Sequence, residues 1–284
     1  MDDFKYLEYL EKVYTEERVV DSYNIQWAPD HPYPSIYHVN GLPIHFDKNA
    51  KKILIAFSGG ADSTMLTYML CKLIEREKFE TKIHVFTMIR FWNDKPWLTP
   101  MAIDVFNWLQ SKFPNIIVEQ HWGFIPPPFE LIAIEKIGIK NNKANLDALV
   151  TQEYQNYLMQ TYNYEWIYSG VTMNPPDLSK DQPVFRNEEN VLNDIGNVIF
   201  SKALNPFGFL RKNFTMAQYQ NYQLDELLAL TRSCEANSFR LANTSWNGNK
   251  YPPECGHCFF CKEKQWGKDN AAGFLIPDEG MSNV

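Results

Sequence analysis

Residues 53–75 read ILIAFSGGADSTMLTYMLCKLIE. The first five, Ile53 to Phe57, form a wholly apolar run with the length and composition of a strand buried on both faces. Beyond the turn, Met65, Leu66, Met69, Leu70, Leu73 and Ile74 recur at helical spacing. A strand that turns directly into a helix aims that helix's first unpaired N–H groups at the open edge of the sheet. With the positive end of the helix dipole, they favour an anion there. Gly59 and Gly60 let the backbone approach such a ligand with no Cβ in the way. Ser58, Ser63 and Thr64 add hydroxyl donors; Asp62 cannot help an anion directly and is expected to reach a metal ion or cap the helix. The plainer alternative is a capped helix start whose glycines serve only the turn.

The alternation continues outward. KIHVFTMI (82–89) reads as a second strand, residues 99–111 as a helix and NIIVEQ (115–120) as a third strand. A loop broken by Pro126 to Pro128 precedes helical material over 143–162, and EWIYSG (165–170) reads as a fourth strand. Strands alternating with helices predict an α/β fold, a Rossmann-like parallel sheet with helices on both faces. Ligands bind such sheets at the carboxyl ends of the strands. Segments 58–64, 88–98, 121–130 and 169–186 therefore converge on one edge. Upstream, Phe4, Leu7, Leu10 and Tyr14 mark an amphipathic helix over 3–16, and IYHVNGLPIHF (36–46) a hairpin about Asn40-Gly41. His31, His38 and His45 are evenly spaced there, but strand alternation scatters them over both faces, so no shared metal site is expected.

The net charge of −7 argues against a broad electrostatic grip on nucleic acid or an anionic membrane. No apolar run is long enough to span a bilayer, and the acidic start MDDFKYLEYLEKVY lacks a secretory h-region. A cytoplasmic location is the expectation. Four of the five cysteines crowd into residues 234–261, which reads as metal ligation rather than disulfide pairing.

The loop has no lysine and lacks the Walker A spacing. Its make-up fits the pyrophosphate of ATP, with Mg²⁺ sharing the charge. Cys234, Cys255, Cys258 and Cys261 combine two overlapping C-x₂-C turns with one distant thiolate, enough to close a tetrahedron about a structural zinc ion. An iron–sulfur cluster also takes four cysteines; zinc is preferred because a complete set of protein thiolates leaves no open position. Cys71 falls on the apolar stripe of the first helix and is expected in the core. His257 is expected to be a turn residue. Phe91, Trp92 and Trp97 either stack on a base or seal the core beneath a loop, and Arg90 and Arg211 are weaker candidates for anion partners. The chain then divides into an N-terminal extension (1–50), a nucleotide-binding domain (51–200) and a helical, zinc-binding C-terminal region (201–284).

FSGGADST (57–64) resembles the SGGxDS signature of the PP-loop ATP pyrophosphatases, in the adenine-nucleotide-hydrolase-like superfamily. That resemblance implies cleavage of ATP to AMP and pyrophosphate, with a substrate oxygen adenylated. Ser58, Gly59, Gly60, Asp62 and Ser63 carry it. Together with SCE (233–235) and ECGHCFFC (254–261), the chain resembles the 7-cyano-7-deazaguanine synthase family and its relatives over about 51–262. WIYSG (166–170) is similar to the family's DYSG stretch near the deazapurine pocket, which implies substrate contacts at Ser169 and Gly170. LRKNFTMAQYQNYQLDELLALTRSCE (210–235) is similar to the segment leading from a family lysine to its first zinc cysteine. Lys212 matches that lysine, and with Asp62 and Ser63 makes up the expected catalytic set.

The resemblance implies activation of 7-carboxy-7-deazaguanine or a similar carboxylate by ATP, with ammonia or an amine as second substrate. It also implies Mg²⁺ at the nucleotide and structural Zn²⁺ in the knuckle. No glutaminase nucleophile is evident, so free ammonia or a primary amine is expected, and a homodimer is compatible. Where the family has a short YPDCR run, this chain has VTMNPPDLSKDQPVFR (171–186), so Asp177 and Arg186 match only across an insertion. Two other classes stay open: a PP-loop sulfur-transfer enzyme (a tRNA thiolase or phosphoadenylylsulfate reductase-like protein) and a non-catalytic zinc-knuckle binding module.

Overall fold

In the computed structural model, residues 34–90, 97–125, 143–176, 178, 186, 202–235 and 251–274 are described. The helix expected over 3–16, together with His31, Phe91, Trp92, Pro126 to Pro128 and Asp177, lies outside the described residues. The apolar run after Lys51 forms β3 (Lys52–Ala56), and the helical stripe forms α1 (Ala61–Glu77). Their neighbours in order are β4 (Lys82–Arg90), α2 (Leu98–Lys112), β5 (Ile117–Ile125), α3 (Lys143–Tyr162), β6 (Trp166–Tyr168) and β7 (Ala203–Leu204). The five strands pair in the order β5-β4-β3-β6-β7, every pair parallel. The α/β expectation therefore holds.

β3 is buried on both faces, and its alternation separates two apolar layers. Ile53 and Ile55, with Ile83 and Val85 of β4, pack with Met65, Leu66 and Met69 of α1 and Val105 and Leu109 of α2. Leu54 and Ala56, with Phe86 and Met88, face Leu158 and Tyr154 of α3. Helices thus cover the sheet on both sides. Cys71 is fully buried in the first layer, and burial pushes its thiol well above the usual range, which leaves it a small apolar filler. The second strand of the sequence reading matches β4 closely; the third, β5, runs on to Ile125 because its ladder with β4 extends through Arg90. β7 was not anticipated, since two residues carry no periodicity.

The hairpin about Asn40-Gly41 is present as β1 (Ser35–Val39) and β2 (Leu42–Phe46), in antiparallel register with Val39 opposite Leu42. Asn40 and Gly41 both take positive φ (47° and 77°), as a primed two-residue turn requires. Its buried face joins the main core: Phe46 stacks on Phe79 at 5.3 Å, and the Tyr168 hydroxyl donates to the His45 carbonyl at 2.8 Å. After β7 come α4 (Lys212–Asn221), α5 (Asp225–Leu230), α6 (Phe259–Asp269) and a 3₁₀ turn, Ala271–Phe274. α6 packs closely on α4: a Cβ on Gly267 would come within 2.9 Å of the Lys212 carbonyl oxygen. Among the described residues no helix is long and apolar enough to cross a membrane.

Candidate functional site

Ser58 to Gly60 leave β3 and turn into α1, whose N-cap, Gly60, is extended (φ −76°, ψ 165°) and makes no side-chain capping bond. The N-cap is thus a glycine and not the serine or aspartate of the plainer reading. Serine hydroxyls knit the turn instead: Ser63 Oγ lies 3.2 Å from both the Ser58 N–H nitrogen and Ser58 Oγ, and the Gly60 N–H donates to Ser58 Oγ at 3.2 Å. Gly59 holds φ at +73°, and a Cβ there would come within 2.9 Å of Ala102 Cα in α2. The loop lies directly on α2, and only glycine fits. Thr64 is fully buried in α1 and does not line the cleft, unlike Ser58 and Ser63.

The turn forms one wall of a cleft of about 760 Å³ at the carboxyl ends of β3, β4 and β6. Thr87, Met88 and Ile89 line it from β4; Ser169, Gly170 and Thr172 line it from the chain after β6. Gly170 sits against the start of α1, where a Cβ would meet the Asp62 carbonyl oxygen at 3.0 Å. Lys212, first residue of α4, reaches across to ion-pair with Asp62 Oδ2. Thr172 Oγ1 donates to the same oxygen at 3.4 Å and accepts from Arg186 Nη2 at 3.0 Å, while Arg186 Nε donates to the Thr172 carbonyl at 2.6 Å. Arg186 also pairs with Glu263 of α6, whose other oxygen lies 3.8 Å from Lys212 Nζ.

Three charged groups, Arg186, Lys212 and Glu263, are therefore buried together with the partly buried Asp62; Glu263 is fully enclosed and Lys212 only 3% exposed. Buried charges are tolerable only when paired in this way. The structure brings Ser58, Gly60, Asp62, Ser63, Ser169, Gly170, Arg186 and Lys212 to one cleft. The guanidinium of Arg186 is engaged by Glu263 and Thr172. Sequence reasoning missed Glu263, Thr172 and Tyr219, whose hydroxyl donates to the Ala61 carbonyl at 2.9 Å beneath the loop. The one signal for Glu263 was its place two residues beyond Cys261, on the helix that the cysteines begin.

The Sγ atoms of Cys234, Cys255, Cys258 and Cys261 all lie within 4.8 Å of one another. The Cys258 and His257 N–H groups point at Cys255 Sγ, at 3.3 and 3.5 Å, and the Cys255 N–H points at Cys234 Sγ at 3.4 Å. Thiolates that accept backbone donors in this way, with four sulfurs converging, fit zinc or an iron–sulfur cluster. His257 is exposed at the turn. Glu254 holds the two limbs of the cluster together, accepting from the Ser233 N–H at 3.0 Å and from Lys264 Nζ at 3.2 Å. Trp97 is buried with Met101, Cys234 and Cys261, so of the two roles considered for it, the structure selects the core beneath the cysteines. Cys234 itself also lines the cleft, which joins the two centres.

Asp62 Oδ1 is buried with no hydrogen-bond partner and lies beside the uncapped helix start, a suitable ligand for the Mg²⁺ of a bound nucleotide. No protein-family model and no curated protein matches the chain. Among solved structures it resembles a U34-tRNA thiolase from Methanococcus maripaludis with its 4Fe–4S cluster (13% identity, TM-score 0.42, 80% of this chain and 69% of that one). It also resembles an NMN synthetase from Francisella tularensis (12%, 0.43, 81% and 90%) and an NAD⁺ synthetase from Burkholderia pseudomallei (13%, 0.41, 81% and 76%). At these scores no chemistry transfers from those proteins, and the cleft's own geometry has to carry its function.

Proposed function

We propose that this chain is an ATP-dependent, AMP- and pyrophosphate-forming C–N ligase acting on a deazapurine carboxylate, 7-carboxy-7-deazaguanine or a close analogue. The observation that carries the nucleotide half is the uncapped N-terminus of α1, opening with Ser58 and Ser63 onto a cleft where Lys212 sits on Asp62. Unpaired N–H groups and hydroxyls there suit the pyrophosphate. Asp62 would hold Mg²⁺, which withdraws charge from the departing pyrophosphate. The Cys234, Cys255, Cys258 and Cys261 set would hold structural zinc.

In the reaction, a carboxylate oxygen attacks the α-phosphorus and pyrophosphate leaves, giving the acyl adenylate. Ammonia or a primary amine then attacks the carbonyl carbon, and AMP departs with the former carboxylate oxygen. With ammonia, a second ATP can adenylate the amide oxygen with release of pyrophosphate, and loss of AMP and both nitrogen-bound protons leaves a nitrile. The chain's contribution is orientation and charge: Lys212, close to the loop, stabilises negative charge on the phosphate oxygens. Ser169 and Gly170 form the wall where the deazapurine would lie.

A second reading, sulfur transfer, is favoured by one observation, that Cys234 lines the same cleft. The test is an incubation with ATP and Mg²⁺, with and without 7-carboxy-7-deazaguanine and ammonia, read by mass spectrometry. Substrate-dependent AMP with an amide or nitrile product is expected. AMP without a changed deazapurine would discard the substrate and keep the ATP chemistry. A brown, iron-containing protein that transfers sulfur to RNA would replace the ligase with the thiolase. No AMP from the wild type under any condition would leave a binding module.

A further inference from the structure

A second cluster of ligating side chains lies away from the cleft, near the beginnings of β4 and β5. The ladder between these strands shifts register: Ile83 pairs with Ile117, but His84 pairs with Glu119 and Phe86 with His121. Val118 is the extra residue, and it is exposed. Side chains alternate along a strand, so without this bulge Glu119 and His121 would fall on the opposite face from His84. With it, all three share the face covered by α3. Bulges commonly re-aim side chains in this way.

The result is a convergence of two imidazoles on one carboxylate. His84 Nδ1 is 3.6 Å from one oxygen of Glu119, and His121 Nδ1 is 3.9 Å from the other. The rings are stacked, with centroids 5.9 Å apart and planes 10° from parallel. His121 Nε2 is already occupied by the Tyr164 hydroxyl at 2.6 Å, which leaves Nδ1 to face Glu119. His84 is only 9% exposed, and its Nδ1 has no hydrogen-bond partner. All the donor atoms lie within 4.8 Å of one another.

These separations are too long for hydrogen bonds. They are close to the edge of a tetrahedron about a small cation, about 3.4 Å for metal–ligand bonds of about 2.0–2.1 Å. We propose that His84, Glu119 and His121 form a second metal site, separate from the cysteines, which takes a divalent transition ion of the zinc class through two Nδ1 atoms and one carboxylate. Imidazole with carboxylate is a donor set that suits such ions. Tyr164, accepting the Nε2–H of His121, is the outer partner that fixes the ring. Burial, reinforced for His84 by the neighbouring imidazole, pulls both histidines below their ordinary proton affinity and leaves lone pairs available near neutrality. Glu119 is half-exposed, so the remaining position opens to water. The ion ties edge strand β5 to β4 upstream of Thr87, Met88 and Ile89, which line the cleft.

The test uses the full chain as purified, its cysteine site loaded, titrated with Zn²⁺ alone in competition with a chromophoric chelator. One equivalent beyond that held by the cysteines is expected. In Glu119→Gln, an exposed change that does not threaten folding, that equivalent should bind at least about tenfold more weakly. Cys258→Ser should leave it in place. With Co²⁺, visible bands typical of imidazole and carboxylate ligation should vanish in Glu119→Gln, while thiolate charge-transfer bands persist. No additional equivalent in the wild type, or equal affinity in Glu119→Gln, overturns the proposal. Should His84→Gln fail to fold, the Glu119→Gln titration decides alone.

Discussion

Glu263 carries no chemistry of its own in this scheme, yet two cations depend on it. Replacing it by alanine leaves Arg186 and Lys212 buried with Asp62 as the one anion remaining in the network among the described residues. Removing one partner from a buried ionic group typically costs about 3–5 kcal/mol, so the denaturation midpoint of Glu263→Ala should fall by that equivalent. An unchanged midpoint would mean that the network is not as closed as its burial indicates. Glycines give a sharper contrast. Gly41 and Gly59 share a left-handed backbone (φ +77° and +73°), but an added Cβ meets nothing within 4 Å at Gly41 and backbone at 2.9 Å at Gly59. Gly41→Ala should therefore carry only the conformational term of about 1–2 kcal/mol. Gly59→Ala should exceed it and also impair ATP binding, measured by calorimetry. Equal effects at the two positions would show that the loop can lift off α2.

Among the elements, the hairpin β1–β2 offers a test by pH. Burial holds His45 below the usual histidine value of 6.5, opposed only in part by a backbone hydrogen bond at Pro34. The unfolded chain then binds more protons than the folded one as pH drops through 6.5. The sign follows: the hairpin's stability is fully present above that value and is lost as pH falls through the lowered folded pKa. Urea midpoints should decline on acidification from neutral pH, and decline less in His45→Gln. At this scale most of the fold was legible beforehand. β3 and α1 announce themselves by a switch in period at Ser58, and the two-residue turn at Asn40-Gly41 is a local signal. What stayed hidden depends on register and distance. The shift between Ile83 and His84 reverses which face Glu119 occupies, and no alternation pattern in β5 reveals it. Glu263 meets Arg186 from 77 residues away, and nothing local to either marks the pairing. The cysteines were legible because a metal knuckle is read from spacing; the role of Trp97 was not, because an aromatic side chain serves a core or a ligand equally well.

Across the molecule, the cysteine cluster and the cleft share parts. Cys258 caps and Cys261 sits in the first turn of the helix that delivers Glu263, and Cys234 and Arg232 belong to a segment lining the cleft, with the Arg232 carbonyl 3.3 Å from where a Gly60 Cβ would stand. Structural zinc contributes about 10–16 kcal/mol in small peptides, on the scale of a whole domain's stability of about 5–15 kcal/mol. Chelation, or Cys258→Ser, should therefore raise hydrogen exchange throughout α6 and weaken ATP binding together. Retained ATP affinity with a loosened α6 would separate the two centres. The Asp62–Lys212 pair spans 150 residues of chain, and that span has a consequence during synthesis. At about 5–20 residues per second, a nascent Asp62 waits about 8 to 30 seconds for its lysine, and Glu263 follows later still. A ribosome that stops anywhere in between releases a chain with the phosphate loop made and no means to charge-balance it. Charge balance arrives late and in steps, so the closed network also reports that translation has passed α6.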